Sequence, residues 1–230
     1  MIRSGIVPID ELCGGFRPRS TYLLTGGAGA GKTGCSLQFV HQALRYGETA
    51  LMVTHASREE LLTFGDLLGF DLRIALREER VVVLRYHSDF VRRLARVGTV
   101  ERVVDDLRAL VSKYRPRRMV IDTFAPFLDD GSASPVAAAS LAELLERSQA
   151  TSLLTYSSDL ASSYDRRLEP LVQSAAGIFR VAHESTGVRW LEVVSLRYSA
   201  SEGSPQRVAM PAFPNDAFPV RRLVEPLELH

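Results

Sequence analysis

Residues 21–33 read TYLLTGGAGAGKT, a short apolar run followed by a glycine-rich stretch that ends in Lys-Thr. Residues 26–33 satisfy the spacing G-x-x-x-x-G-K-[ST], which is typical of a phosphate-binding loop between a strand and a helix. After this loop, Leu37, Val40 and Leu44 recur at helical spacing, and Gly47 ends the run. The stretch therefore predicts a strand, a phosphate loop and a helix, in that order.

The loop supplies the donors that a triphosphate needs. Its glycines allow the backbone to curl so that successive N–H groups point inward, and the N-terminus of the following helix adds partial positive charge. Lys32 is expected to place its ammonium at the β and γ phosphates, and the Thr33 hydroxyl to bind Mg²⁺. The predicted ligands are ATP or ADP with Mg²⁺, held by Gly26, Gly27, Ala28, Gly29, Ala30, Gly31, Lys32, Thr33 and Gly34.

Lysine is rare in this chain, since 26 of the 28 basic residues are Arg and only Lys32 and Lys113 are Lys. One of the two lysines is thus the loop residue itself. A compact, flexible ammonium differs from a planar guanidinium at such a position, so the choice of residue indicates a phosphate site in use.

Strands and helices alternate along the rest of the chain. Apolar runs predict strands at 49–54, 81–85, 118–122 and 151–157. Helical periodicity predicts helices at 58–68, 99–114 and 134–147, the last two capped by Thr99 and Ser134. Residues 177–182 and 188–197 predict a hairpin with its turn at 185–187. The pattern predicts an α/β fold with a mainly parallel central sheet, helices on both faces and a C-terminal antiparallel hairpin.

Composition and charge narrow the class of protein. The 230 residues are 46% hydrophobic and 24% charged, which is ordinary for a folded protein, and no linker divides residues 1–230, so we expect a single domain. Five of the eleven prolines fall within residues 201–230, which predicts an extended tail. A formal net charge of +1 gives no global attraction to nucleic acid or to anionic lipid.

The sequence also indicates a compartment. No apolar stretch approaches the ~20 residues that span a bilayer, and the first residues lack the apolar core of a secretory signal. We therefore expect a cytoplasmic protein in which Cys13 and Cys35 are free thiols. Cys35 follows the loop, where a helix N-terminus can lower the pKa of a thiol, but an inert buried cysteine is the alternative.

Further candidate site residues follow two other strands. Asp122 ends the apolar run 118–122 and is the carboxylate expected to hold Mg²⁺ directly or through water, the alternative being a helix cap. Ser157, Ser158 and Asp159 follow the strand at 151–157. Related proteins carry a γ-phosphate sensor at this place, so this resemblance makes the three residues candidates for it, and a turn at the start of a loop is the alternative.

The blocks around the loop resemble the RecA superfamily and, within it, the KaiC-like ATPases. Residues 4–33, SGIVPIDELCGGFRPRSTYLLTGGAGAGKT, are similar to that family's opening pattern. The similarity continues through LQFVHQALRYGETALMVTHASREELL, LLGFDL, VIDTFAPFL and RWLEVVSLRYS, and covers about residues 4–200. The resemblance implies a RecA-like core and a homo-oligomer, usually a hexameric ring with nucleotide between subunits.

Two positions depart from the family pattern. Where the family has a pair of glutamates, one of which activates the attacking water, this sequence has His55-Ala56. His55 is either the general base or a polar residue at the end of a strand, and Glu59 and Glu60 belong to the first turn of the next helix. Where the family has a Lys and an Arg that reach the neighbouring subunit's γ-phosphate, this sequence has Ser195 and Arg197. Arg197 is either such a finger or a surface residue.

Three functions are consistent with these residues. The first is a slow Mg²⁺-dependent ATPase that works in an oligomer. The second is a non-hydrolysing, nucleotide-gated scaffold or regulatory protein with an unidentified protein partner. The third is a recombinase-like DNA motor, which would use the loops at 124–134 and 157–173. The first of these loops contains Asp129-Asp130, whereas single-stranded DNA requires a basic groove with stacking aromatics, so nucleic acid is not the expected partner.

Overall fold

Eight strands form one sheet in the computed structural model, which describes residues 1–86, 100–125, 136–157, 166–183, 188–197 and 207–210. They are β1 Thr21–Thr25, β2 Ala50–Thr54, β3 Val81–Arg85, β4 Arg118–Asp122, β5 Thr151–Tyr156, β6 Gly177–His183, β7 Arg189–Leu196 and β8 Arg207–Ala209. Their order across the sheet is β3-β2-β4-β5-β1-β6-β7-β8. Strands β1 to β6 run parallel and the last two antiparallel, which confirms the predicted fold class.

Seven α-helices accompany the sheet in the described ranges. They are α1 Val7–Cys13, α2 Lys32–Arg45, α3 Arg58–Leu67, α4 Leu72–Arg77, α5 Val100–Tyr114, α6 Val136–Arg147 and α7 Glu169–Ser174, which follows a 3₁₀ turn at Arg166–Leu168. Helices α1, α4 and α7 were not predicted, because six or seven residues are too few to show a helical period. The predicted caps Thr99 and Ser134 and the hairpin turn at 185–187 lie outside the described residues.

The two faces of the sheet carry separate hydrophobic cores. Tyr22 and Leu24 of β1 belong to the core that α1, α2, α3 and α4 cover, whereas Leu23 belongs to the core under α5, α6 and α7. With both faces covered, every residue of β1, β2 and β4 is buried. This double burial explains why these strands appear in the sequence as continuous apolar runs.

The hairpin returns the chain to the phosphate loop. Strand β6 lies parallel to β1, and β7 pairs antiparallel with β6 from His183 opposite Arg189 to Gly177 opposite Leu196. The first residue of β7 therefore lies at the end of the sheet where β1 ends. In the predicted tail 201–230, residues 207–209 form β8 against β7, and residues 201–206 and 211–230 lie outside the described part.

No helix among the described residues is both long enough and apolar enough to cross a membrane. Cys13 and Cys35 are both free thiols, as the sequence predicts.

Candidate functional site

The predicted phosphate loop joins the end of β1 to the start of α2. A Cβ atom on Gly26 would lie 2.1 Å from the carbonyl oxygen of Val181 in β6, so only glycine fits there. Gly31 adopts a φ of 101° and is the N-cap of α2. Because this cap has no side chain, the first N–H groups of the helix face the loop as a ready anion site.

Lys32 is buried inside the curve of the loop. Its Nζ donates hydrogen bonds to the carbonyl oxygens of Gly26 at 2.8 Å and Gly27 at 2.6 Å. The ammonium is thus placed among the loop carbonyls, next to the first N–H groups of α2. From this position the flexible side chain of Lys32 can place its positive charge on a bound phosphate group.

Asp122 is 2% exposed and lies at the end of β4, two strands away from β1. The hydroxyl of Thr155, on the intervening β5, donates a hydrogen bond to Oδ1 of Asp122. The other carboxylate oxygen, Oδ2, is buried and has no hydrogen-bond partner among the residues that the structure describes. A buried carboxylate oxygen without a partner is costly, so its position favours a cation ligand rather than a helix cap.

The donors near Asp122 fit Mg²⁺. The Thr33 hydroxyl and the Asp122 carboxylate border the same cavity, and both are the oxygen ligands that Mg²⁺ prefers. Within the described ranges no three His, Cys, Asp or Glu side chains form a metal-binding group. A Mg²⁺ ion here would therefore complete its coordination with phosphate oxygens and water.

Tyr86 fixes the backbone after Asp122. Its hydroxyl donates to the carbonyl oxygen of Thr123 at 2.9 Å and accepts from the N–H of Thr123 at 3.1 Å. The Thr123 hydroxyl in turn donates to the carbonyl oxygen of Thr155 at 2.7 Å. Burial raises the pKa of Tyr86 to about 12, and the negative charge of Asp122 adds to the rise. This contact could not be predicted from the sequence, because Tyr86 and Thr123 are far apart in the chain.

A cavity of about 540 Å³ opens over the loop. It brings together Lys32, Thr33, His55 and Asp122, which come from three separate strand ends. Ser157 also lines it, whereas the candidates Ser158 and Asp159 lie outside the described residues. Eight of the sequence-predicted site residues thus border one cavity of the size that small ligands occupy: Ala28, Gly29, Gly31, Lys32, Thr33, Gly34, His55 and Asp122.

His55 follows β2 and is exposed to this cavity, with its ring centroid 6.0 Å from that of Tyr86. Glu60 does not face the loop as a base, because it forms a capping box with Ser57 at the start of α3. Its Oε2 accepts the Ser57 N–H at 2.6 Å, and hydrogen bonds from Ser57 lower the pKa of Glu60. Asp122 is the one carboxylate among the described residues that line the cavity.

Arg189 and His183 also line the cavity, and sequence reasoning missed both. Nη1 of Arg189 lies 2.9 Å from the point where a Cβ atom on Gly31 would be. The hairpin was the signal that could have found Arg189, because a strand that returns antiparallel beside β6 must start at the loop end of the sheet. The positive charge of Arg189 also acts on the nearby thiol of Cys35, but burial dominates and raises that pKa to about 12. Of the two alternatives that the sequence left open, Cys35 is therefore the inert buried cysteine and not a reactive thiol.

Arg197 is far from its own chain's loop. It follows the last residue of β7, is exposed, and donates its N–H to the carbonyl oxygen of Ala176 at the opposite end of the sheet. At about 3.3 Å per residue, it lies roughly 25 Å from Arg189. Ser195 lies on β7, where it pairs with Ile178 of β6, and it is also exposed. The structure does not bring Arg197 together with the other predicted site residues.

Comparison with known proteins connects this geometry to a family. A family model described as "ATPase: KaiC" matches residues 2–208, which is most of the chain. The chain belongs to the KaiC ATPase family. Membership agrees with the resemblance seen in the sequence and makes this chain a RecA/KaiC-like, ATP-binding P-loop protein.

Curated KaiC proteins match a smaller part of the chain. The circadian clock oscillator protein KaiC of Prochlorococcus marinus is 28% identical over 126 residues, which are 54% of this chain and 24% of that protein. The circadian clock protein KaiC3 of Synechocystis is 27% identical over 127 residues, with the same two shares. The aligned part thus spans about a quarter of the length of these curated KaiC proteins.

A solved structure agrees over nearly the whole chain. The crystal structure of a KaiC-like protein from the hyperthermophilic archaeon Pyrococcus horikoshii superposes with a TM-score of 0.73 and 22% identity. The match covers 91% of this chain and 98% of that one. It confirms the RecA-like fold of this KaiC family member.

Proposed function

We propose that this KaiC family member is a slow, Mg²⁺-dependent ATPase that acts as a single RecA-type domain within a homo-oligomer. The observation that carries the proposal is the buried Oδ2 of Asp122, which has no hydrogen-bond partner in the described part of the chain; Asp122 borders the same cavity as Lys32 and Thr33. Asp122 and Thr33 would hold a Mg²⁺ ion there, which would supply positive charge to a bound triphosphate.

The phosphates would be held by the loop from Gly26 to Gly34, through its N–H groups and the start of α2. Lys32 would contact the β and γ phosphates, and Arg189 would add a second positive charge beside Gly31. Thr33 and Asp122 would hold Mg²⁺, which when bound neutralises charge on the phosphates. Phosphoryl transfer depends on orientation and charge, and these residues would supply both.

The water-activating part of the site is weaker. No glutamate lines the described part of the cavity, so a histidine would accept the proton of the attacking water, and His55 is the histidine that follows β2. A slow reaction follows if the imidazole replaces a carboxylate that is placed to orient water. The chain's own residues thus support ATP binding more strongly than rapid turnover.

Oligomerisation would supply a further charge. Because Arg197 lies roughly 25 Å from Arg189 along β7, it can reach a γ-phosphate only in a neighbouring copy. The Lys of the family's Lys and Arg pair is Ser195 here, so a neighbour would contribute one positive charge instead of two. We propose a ring of the kind that the family forms, usually a hexamer.

The second candidate is a nucleotide-gated scaffold that binds ATP or ADP without turnover and presents a different surface to a protein partner in each state. The absence of a glutamate in the described cavity lining and the exchange of Lys for Ser195 favour it. The DNA motor has no such support, because residues 126–134 and 158–165 of its two loops lie outside the described part.

Steady-state phosphate release separates the first two candidates. The wild type is compared with Lys32→Ala and with Lys113→Ala, which changes the other lysine of the chain, an exposed residue on α5. A slow ATPase releases phosphate faster than Lys32→Ala and at the same rate as Lys113→Ala. If the wild type releases phosphate no faster than Lys32→Ala, the ATPase is excluded and the nucleotide-gated scaffold remains. The mass in solution with and without ATP·Mg²⁺ tests the oligomer, and a monomer in both conditions would remove Arg197 from the proposal.

A further inference from the structure

A second cavity, of about 660 Å³, lies at the opposite end of the sheet from the phosphate loop. It is bordered by residues that enter the parallel strands: 17–20 precede β1, Glu48 precedes β2, Arg117 precedes β4 and Gln149 precedes β5. Since parallel strands begin at the same edge, these segments meet there. The five residues of β1 separate this cavity from the loop by about 17 Å.

The lining of this cavity is strongly basic. Arg17, Arg19 and Arg117 border it, and all three are exposed. Glu48 is the one carboxylate in the described lining, and it accepts a hydrogen bond at 2.6 Å from Nε of Arg118, which is fully buried. The negative charge of Glu48 is thus already paired with the positive charge of a buried arginine. Three guanidinium groups are concentrated at one cavity in a chain whose formal net charge is only +1.

Hydrogen bonds to neighbouring elements fix the backbone of each of these arginines. The N–H of Arg17 donates to the hydroxyl of Tyr22 at 2.7 Å, and the N–H of Arg19 donates to the hydroxyl of Thr151 at 3.0 Å. The N–H of Arg117 donates to the carbonyl oxygen of Thr49 at 3.0 Å. The three side chains therefore start from fixed points, which reduces the entropy lost when they bind a ligand.

Two of the residues that border the cavity have a backbone conformation that glycine adopts more easily. Arg19 has a φ of 57° and Gln149 a φ of 59°. A residue with a side chain is strained in this region, and such strain tends to occur at functional sites. At both positions the chain carries a long polar side chain that can donate hydrogen bonds, despite this strain.

We infer that this cavity binds a small phosphate-bearing anion at a site distinct from the ATP loop. Its volume is in the range that small-molecule sites occupy. A guanidinium group matches two phosphate oxygens at once, and three of them suit a ligand with several phosphate groups. The hydroxyl of Thr151 and the amide of Gln149 add neutral donors to the same lining. Nothing in this inference depends on ATP turnover at the loop.

Calorimetric titration with sodium tripolyphosphate tests the site. All titrations use the Lys32→Ala background, so that binding at the loop is weakened and a failure of the proposed ATPase does not affect the result. We expect saturable binding with a defined stoichiometry. Arg19→Gly and Arg117→Ala should each raise the Kd at least tenfold, whereas Arg108→Ala, an exposed arginine of α5, should leave it unchanged.

The glycine variant separates binding from folding. Arg19→Gly removes the guanidinium and relieves the strained backbone, so its melting temperature should equal or exceed that of the background protein. If Arg19→Gly has a lower melting temperature than the background protein, the Kd of Arg117→Ala for tripolyphosphate tests the inference instead. Absence of saturable binding, or an equal loss of affinity in Arg108→Ala, would overturn the inference and leave only general attraction to positive charge.

Discussion

Arg189 lies directly against Gly31, with its Nη1 atom 2.9 Å from the position that a Cβ atom of this glycine would take. The two residues are distant in sequence and meet because β7 runs antiparallel beside β6, which is itself parallel to β1. Gly31 is the N-cap of α2, so a guanidinium group stands beside the helix N-terminus of the phosphate loop. The charge of the Arg189 guanidinium and the partial positive charge of the α2 N-terminus thus lie together at the phosphate loop.

We expect Arg189→Ala to weaken the binding of ATP·Mg²⁺. Hydrogen bonds to charged groups contribute about 1.5–3 kcal/mol, so the Kd should rise roughly 10- to 100-fold. Arg189→Lys should recover only part of this loss, because an ammonium lacks the planar fork of a guanidinium. Titration with a fluorescent ATP analogue measures both variants.

Arg207→Ala is the matched control for this prediction. Arg207 lies on β8, where its guanidinium stacks on the ring of Trp190, and it does not line the cavity over the loop. Its substitution should leave the Kd for ATP·Mg²⁺ unchanged. An Arg189→Ala protein that binds as tightly as the wild type would remove Arg189 from the site.

The sequence predicted the loop and its strand well but not the partners that surround them. The bounds of β1 and the position of Asp122 follow from local patterns, an apolar run with a loop motif and an apolar run that ends in a carboxylate. Arg189, His183 and Tyr86 depend instead on which strands are neighbours and in what register. That information comes from tertiary packing, which a single sequence does not display.

Thr155→Val should destabilise the protein by about 1–3 kcal/mol, the cost of leaving a buried polar group without its hydrogen bond. The substitution keeps the shape of the side chain but removes the hydroxyl that donates to Oδ1 of Asp122. Both oxygens of this buried carboxylate would then lack a donor from the described residues. Urea denaturation in the absence of nucleotide measures the change.

Thr155→Ser keeps the hydroxyl and provides the comparison. It should lose less stability than Thr155→Val, since only a methyl group is removed. Equal stability of the wild type and Thr155→Val would show that the hydrogen bond to Asp122 contributes nothing measurable.

Tyr86→Phe should make the stability of the protein less sensitive to alkaline pH. The pKa of Tyr86 is raised from 10.0 to about 12 in the folded state by burial, so the folded protein favours the neutral phenol. The unfolded chain loses this proton near pH 10 and the folded chain only near pH 12. The stabilising effect is therefore fully present below pH 10 and is lost as the pH rises towards 12.

At pH 8 the phenylalanine variant should be less stable by about 1–3 kcal/mol, because the N–H and the carbonyl group of Thr123 lose the Tyr86 hydroxyl. The difference from the wild type should shrink between pH 10 and pH 12. Tyr46→Phe, at an exposed position, should follow the wild type at every pH. A constant difference between wild type and Tyr86→Phe across this range would contradict the pKa shift.

His55→Glu should accelerate ATP hydrolysis. The substitution places a carboxylate at the end of β2, in the cavity that also contains Lys32 and Asp122. A positioned general base contributes about 10²- to 10⁴-fold to such reactions, so even imperfect placement should raise the rate of phosphate release at least tenfold. Steady-state phosphate release at saturating ATP·Mg²⁺ measures it.

His183→Glu is a demanding control, because it introduces the same carboxylate at another histidine of the same cavity. Its rate should not rise, since His183 ends β6 beside the loop and does not occupy the position after β2 from which the family's glutamate acts. Equal acceleration by both variants would indicate a general effect of negative charge. No acceleration by His55→Glu would contradict the prediction and would mean that water activation does not limit the rate of hydrolysis.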